Sequence, residues 1–176
     1  MMSQTADFPL LSSLVIIHYD SLCPNGFVRT QIEERAATYL ARGRPIYNLS
    51  TLEQPTPQAD FIQLPAQDPS PLKGYGLSRQ IESLFQLLRT QKEFTSKNFE
   101  LVGVTWWICV VAAQEELAKR EVSACINYDC TDLIQDYIAA RRLAPELQIN
   151  GAPVPKPSQR ALTAYRQHRE TLEKVS

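Results

Sequence analysis

Three side chains of this chain have the types that thiol-based acyl chemistry requires: Cys109, Asp20 and Lys73. A thiolate attacking an amide or related acyl carbon needs a base or charge partner, an acid for the leaving group and donors for the oxyanion. Cys109 stands in Phe99-Glu-Leu-Val-Gly-Val-Thr-Trp-Trp-Ile-Cys-Val110, where an apolar run reaches Gly103 and turns through Val104-Thr105. That run delivers the thiol near the start of a helical pattern from Val110 to Arg120. A helix N-terminus carries partial positive charge and unpaired N–H groups, so a thiol there is expected to be easier to ionise. The alternative is an inert buried cysteine, because free Cys is among the most buried residue types.

Asp20 follows the first predicted strand and is placed to accept the Cys109 proton; otherwise it opens the turn Asp20-Ser-Leu-Cys-Pro-Asn-Gly26. Lys73, in Pro71-Leu-Lys-Gly-Tyr-Gly76, would keep that carboxylate charged and stabilise developing negative charge, or else stand as a solvated loop lysine. Backbone N–H groups around Ile108 and Cys109 would serve the oxyanion. Trp106 and Trp107 would wall an apolar pocket for a flat substrate, or join the core. His18, at the end of the first predicted strand, belongs to the same set.

The elements that must position these groups alternate along the chain. Leu14 to His18 is a continuous apolar run, the pattern of a strand buried on both faces. Phe27 to Arg42 reads as a helix with an apolar stripe of Phe27, Ile32, Ala36, Tyr39 and Leu40, stopped by Gly43. Pro45 to Leu49 is a second strand, and Gln54 to Pro71 a proline-rich loop with a short strand at Phe61 to Leu64. Ser78 caps a helix to about Lys92, with Ile81, Leu84, Phe85 and Leu88 facing inward. Glu100 to Val104 and Val122 to Tyr128 are further strands, and Thr131 caps a helix to Leu143. Such alternation predicts an α/β fold, a three-layer α/β/α Rossmann-like sandwich with a mainly parallel sheet. The main domain spans 10–150, a stiff linker 151–157, and a polar C-terminal helix 158–176, while Met1 to Pro9 reads as a loose leader. In such sheets ligands bind beyond the carboxyl ends of the strands, where His18, Asp20, Cys109 and Asp129 would gather.

Composition removes several classes. The net charge of -1 supplies no basic field for nucleic acid or anionic lipid. Leu14 to Ile17 is too short to cross a bilayer and lacks the flanks of a signal peptide, so no membrane association and a cytoplasmic location are expected. The cysteines Cys23, Cys109, Cys125 and Cys130 and the histidines His18 and His168 form no ligand pattern, so no metal is expected. Neither a phosphate-binding glycine fingerprint nor a Gly-x-Ser-x-Gly elbow occurs, and no other cofactor is indicated.

The segment around Cys109 resembles the isochorismatase-like cysteine hydrolases, which include nicotinamidases and related amidases. In that family a strand ends in Gly, and Cys-Val follows six residues later on an alanine-rich helix. Gly103, Cys109-Val110 and Ala112-Ala113 keep that pattern, and the strand and acidic residue from Val122 to Asp129 fall at the family's distance. Lys73 precedes Cys109 by 36 residues, a separation suited to the family's lysine, and Leu22-Cys-Pro-Asn-Gly26 is similar to its Phe-Cys-Pro-Gly-Gly loop. Three positions depart: Ile17 stands where an ungapped match puts the aspartate, Trp106 replaces the usual threonine, and Thr51 to Asp68 lacks the metal-binding Asp-x-His. The resemblance implies a metal-independent hydrolase with Cys109 as nucleophile, Asp20 as base and Lys73 as charge partner. It further implies a small-molecule substrate and a homo-oligomer. The damaged aspartate motif and the paired Trp106 and Trp107 motivate a second reading, a catalytically silent relative used for binding or assembly.

Overall fold

Five short strands form one all-parallel sheet in the computed structural model, which describes residues 8–19, 26–90, 98–104, 106–143, 148–149 and 152–175. The elements run β1 (Ser13–Ile17), α1 (Gly26–Leu40), β2 (Ile46–Leu49), β3 (Ile62–Leu64), α2 (Leu77–Arg89), β4 (Phe99–Gly103), α3 (Val111–Ala118), β5 (Ala124–Thr131) and α4 (Leu133–Leu143). A short hairpin, β6 (Gln148–Ile149) with β7 (Ala152–Pro153), and α5 (Gln159–Val175) follow. The strand order is β3-β2-β1-β4-β5, so the chain reverses its direction of growth between β1 and β4.

Leu14 to Ile17 are all fully buried because β1 is central and covered on both faces. Alternation along β1 divides the core in two. Val15 and Ile17 pack with α2 and α3 through Ile81, Leu84, Leu88, Val110, Ala113 and Leu117. Leu14 and Ile16 meet α1 through Val28, Ile32, Ala36 and Tyr39. The result is the three-layer α/β/α sandwich, with helices on both faces of a parallel sheet.

Several local expectations are corrected. The N-cap of α2 is Gly76, in the left-handed region and with no side-chain cap; Ser78 instead donates its hydroxyl to Glu116 Oε2 at 3.0 Å. The helix after Gly103 starts earlier than the pattern indicates, with a π-helical turn over Trp106–Val110 that runs directly into α3. Phe8 and Pro9 are not loose: their carbonyls accept hydrogen bonds from Arg35 Nη2 at 3.0 and 3.2 Å. Arg35 is itself buried, held against Glu100 of β4 by bonds of 2.6 to 3.1 Å. Thr131 does cap α4, its hydroxyl accepting from the Leu133 N–H at 3.3 Å.

The start of α5 is fixed by two polar contacts. Ser158 donates its N–H to Asp129 Oδ1 at 2.8 Å and accepts from the Ala161 N–H at 3.1 Å. Asp129, at the strand end, thus anchors a helix. α5 then buries Ala161, Leu162 and Tyr165 against Phe27 and Ile134, while Leu172 remains half-exposed. Within the described residues no helix is long and apolar enough to cross a membrane.

Candidate functional site

The carboxyl ends of β1 and β4 meet at the point where the strand order reverses, the position at which open α/β sheets bind ligands. Ile17 pairs with both Leu49 and Gly103, and the backbone turns away beyond each of them. Gly103 is required there. Its φ is 152°, and a Cβ would lie 2.3 Å from the Ile17 carbonyl oxygen. From this glycine the chain enters the turn that carries Cys109.

Opposite that turn lies the Pro71–Gly76 segment, a 3-10 turn broken by three consecutive left-handed residues, Gly74 (φ 56°), Tyr75 (φ 55°) and Gly76 (φ 71°). A Cβ on Gly76 would approach Gln67 Cβ to 2.8 Å, so glycine permits both the φ and the contact. Ser70 O accepts from the N–H groups of Lys73 and Tyr75, at 3.1 and 3.2 Å. Asp68 Oδ1 accepts from the Ser70 N–H at 2.9 Å and closes the turn.

A cavity of about 390 Å3 lies between this segment, the first turn of α2 and the Cys109 turn. Its wall includes Asp68, Lys73, Arg79, Ile108, Cys109 and Glu116. Two of the residues chosen from the sequence therefore meet there, Lys73 and Cys109. The Lys73 ammonium stands 3.1 Å from Asp68 Oδ2, and its side chain is largely exposed.

Cys109 is only 9% exposed and belongs to the core cluster of α2 and α3. Burial, reinforced by the negative charge of Asp132, pushes its thiol above the ordinary range. This reverses the expected direction. The helical turn begins at Trp106, so Cys109 sits inside a continuous helix and not ahead of its first N–H groups.

His18 does not open onto the cavity. It is buried, with a left-handed φ of 56°, and its ring lies edge-on to Tyr75 at 4.8 Å. Its Nε2 is 3.4 Å from Gln80 Oε1. The Gln80 amide nitrogen donates to the carbonyls of Ser50, Leu64 and Pro65 at 2.7 to 3.1 Å, which turns Oε1 toward the imidazole and requires Nε2 to carry the proton. His18 thereby ties β1 to α2 and supports Tyr75 from behind. Asp20 lies outside the described residues, as do the side chains of Trp106 and Trp107. Among the described residues no group of three or more His, Cys, Asp or Glu side chains is arranged to hold a metal ion.

Sequence reading missed three charged residues of the wall: Asp68, Arg79 and Glu116. Glu116 accepts from Lys119 at 2.6 Å, from Arg120 at 2.8 Å and from the Ser78 hydroxyl. The bonds from Lys119 and Arg120 hold its carboxyl down to about 2. Because the folded value is depressed, this contribution to stability is complete above the ordinary carboxylate range and fades as pH falls toward 2. Urea unfolding as a function of pH is therefore expected to show a shallower acid loss for Glu116→Gln than for the wild type between pH 4.5 and 2. Equal slopes would show that the cluster does not titrate with folding.

No family model, curated protein or solved structure matches this chain.

Proposed function

We propose that the Cys109 cavity is the substrate site of a metal-independent cysteine hydrolase of isochorismatase-like type, acting on a small amide or related compound. The observation that carries this reading is the meeting of Lys73 and Cys109, distant in sequence, in the wall of one cavity at the carboxyl edge of the sheet. Its volume suits a small molecule.

In the proposed reaction Sγ of Cys109 bonds to the acyl carbon while a carboxylate, Asp20 by resemblance, takes the thiol proton. The C–N bond then breaks and that proton leaves with the amine. Water adds to the thioester, releasing the carboxylic acid and restoring the thiol. The net change is addition of one water across the amide. Lys73 opposes the negative charge that develops on the carbonyl oxygen. Cys109→Ser is expected to lower amine release from a panel of small amides by about 1,000-fold or more, with the melting temperature measured in parallel. Wild-type rates in a folded Cys109→Ser protein would remove the mechanism.

A second reading, binding without turnover, is favoured by the suppressed ionisation of the buried thiol and by the engagement of Lys73 with Asp68. Iodoacetamide labelling followed residue by residue reads the resting thiol, before a substrate or base engages it. Because the folded thiol is raised, labelling of Cys109 is expected to be slower at pH 8 than that of the exposed Cys125, and to keep rising above pH 9. Fast labelling of Cys109 at pH 7 would mean an activated thiolate and would set the binding reading aside.

A further inference from the structure

Resting on the reading of this cavity as a substrate site, we propose that the molecule it takes carries a single carboxylate, held by Arg79. Two carboxylates and two cations line the cavity: Asp68, Glu116, Lys73 and Arg79. Three of these four are already engaged. Glu116 is held by Lys119, Arg120 and the Ser78 hydroxyl, and Arg120 is shared with Glu82 at 3.3 Å. Asp68 holds Lys73 at 3.1 Å and accepts the Ser70 N–H. Among the described residues the Arg79 guanidinium makes no ion pair or hydrogen bond, and it acts on Asp68 only through space.

Arg79 lines the cavity as an exposed residue, and its planar fork of N–H donors is uncommitted. Such a fork matches a carboxylate in two parallel hydrogen bonds, whereas an ammonium acts as a point charge. With Lys73 committed to Asp68, one positive charge is left to offer, which suits a monoanion better than a phosphate dianion. Cys109 lines the same space, so a molecule anchored at Arg79 keeps its acyl carbon within the cavity that holds the thiol. The substrate class is therefore a small amide bearing a carboxylate elsewhere on its skeleton. A neutral amide would leave Arg79 unused.

Iodoacetate and iodoacetamide differ only in carboxylate against amide, and Cys125 provides an exposed reference thiol in the same molecule. The full-length protein is treated with each reagent, and labelling is followed at each cysteine by mass spectrometry. The iodoacetate-to-iodoacetamide rate ratio is expected to be about threefold or more higher at Cys109 than at Cys125. Arg79→Gln should bring the Cys109 ratio down to that of Cys125, and Arg79→Lys should retain part of the preference. Equal ratios at the two thiols, or no effect of Arg79→Gln, overturn the proposal. If Cys109 takes neither reagent, melting curves with benzoate, benzamide and inorganic phosphate decide. Stabilisation by benzoate alone, lost in Arg79→Gln, supports a carboxylate site; equal effects of benzoate and benzamide, or a larger effect of phosphate, refute it. None of these readouts depends on turnover, so the hydrolase reading can fail through Cys109→Ser while the carboxylate site stands.

Discussion

Gly103→Ala is expected to cost about 4 kcal/mol or more of folding free energy, among the largest effects of any single substitution. Two independent penalties coincide. The backbone at Gly103 has φ 152°, a region that side-chain-bearing residues rarely adopt. The added Cβ would also sit 2.3 Å from the Ile17 carbonyl oxygen and 2.9 Å from Ile17 Cβ. Neither obstacle is the tip of a flexible side chain. Ile17 is the last residue of the central strand, paired on both sides with Leu49 and Gly103, so relief requires parting β1 from β4. That separation would open the sheet where its order reverses and displace the Cys109 turn. Urea unfolding measures the cost, and a folded Gly103→Ala protein within about 1 kcal/mol of the wild type would show that the strand ends are looser than this close approach implies.

Most of the sheet was legible from the sequence because β1, β2 and β4 are each a continuous apolar run or a slight interruption of one. β5 instead carries Asn127, Asp129 and Thr131 and runs three residues past the expected end at Tyr128. A strand buried on both faces has no polar side to alternate with, and Leu14 to Ile17 meets that condition without exception. The stripe of α2 was equally readable: Ile81, Leu84, Phe85 and Leu88 are all buried as their spacing indicates. α1 was harder, because one of its buried positions is Arg35, which a hydropathy pattern assigns to solvent. Its partner Glu100 lies in the middle of an apolar strand, and the sequence gives no local sign that the two are joined.

The candidate site divides the same way. The carboxyl-edge rule and the family-like spacing together select Lys73 and Cys109, which do share a cavity. His18 obeys the rule but is turned inward, because Gln80 is held by three backbone carbonyls and offers the imidazole an acceptor in the core. Arg79 and Glu116 occupy positions on α2 and α3 indistinguishable in sequence from ordinary solvated charges. Only the packing of the two helices beside Gly76 makes them neighbours. The thiol departs from the expected direction because the packing of α2 and α3 buries it, which Val110 as the start of the α-helical pattern does not reveal; the π turn before Val110 also sets Cys109 inside the helix.

Glu100→Gln is the second large effect, expected at about 3–5 kcal/mol, because it strips the charge from a fully buried ion pair and leaves Arg35 without its counter-ion. Glu100 and Arg35 are 0% and 2% exposed, so neither survivor can recover hydration. The carboxylate accepts from Arg35, from the Tyr39 hydroxyl at 2.7 Å and from Asn127 Nδ2 at 2.7 Å, linking α1, β4 and β5 at the amino end of the strands. Arg35→Met should cost a similar amount by leaving the carboxylate unpaired, and should also release the carbonyls of Phe8 and Pro9. The double variant Arg35→Met with Glu100→Gln is informative because glutamine keeps an acceptor for Tyr39 and Asn127 while no charge remains to be neutralised. Its cost is expected to lie within about 2 kcal/mol of the wild type, far below the sum of the single changes. Strict additivity in urea unfolding would show that the two residues contribute separately, through packing and hydrogen bonds alone. The network stands at the opposite edge of the sheet from Cys109. Below its lowered melting temperature, the double variant should therefore keep the wild-type iodoacetate-to-iodoacetamide ratio at that thiol, which separates loss of fold from loss of site.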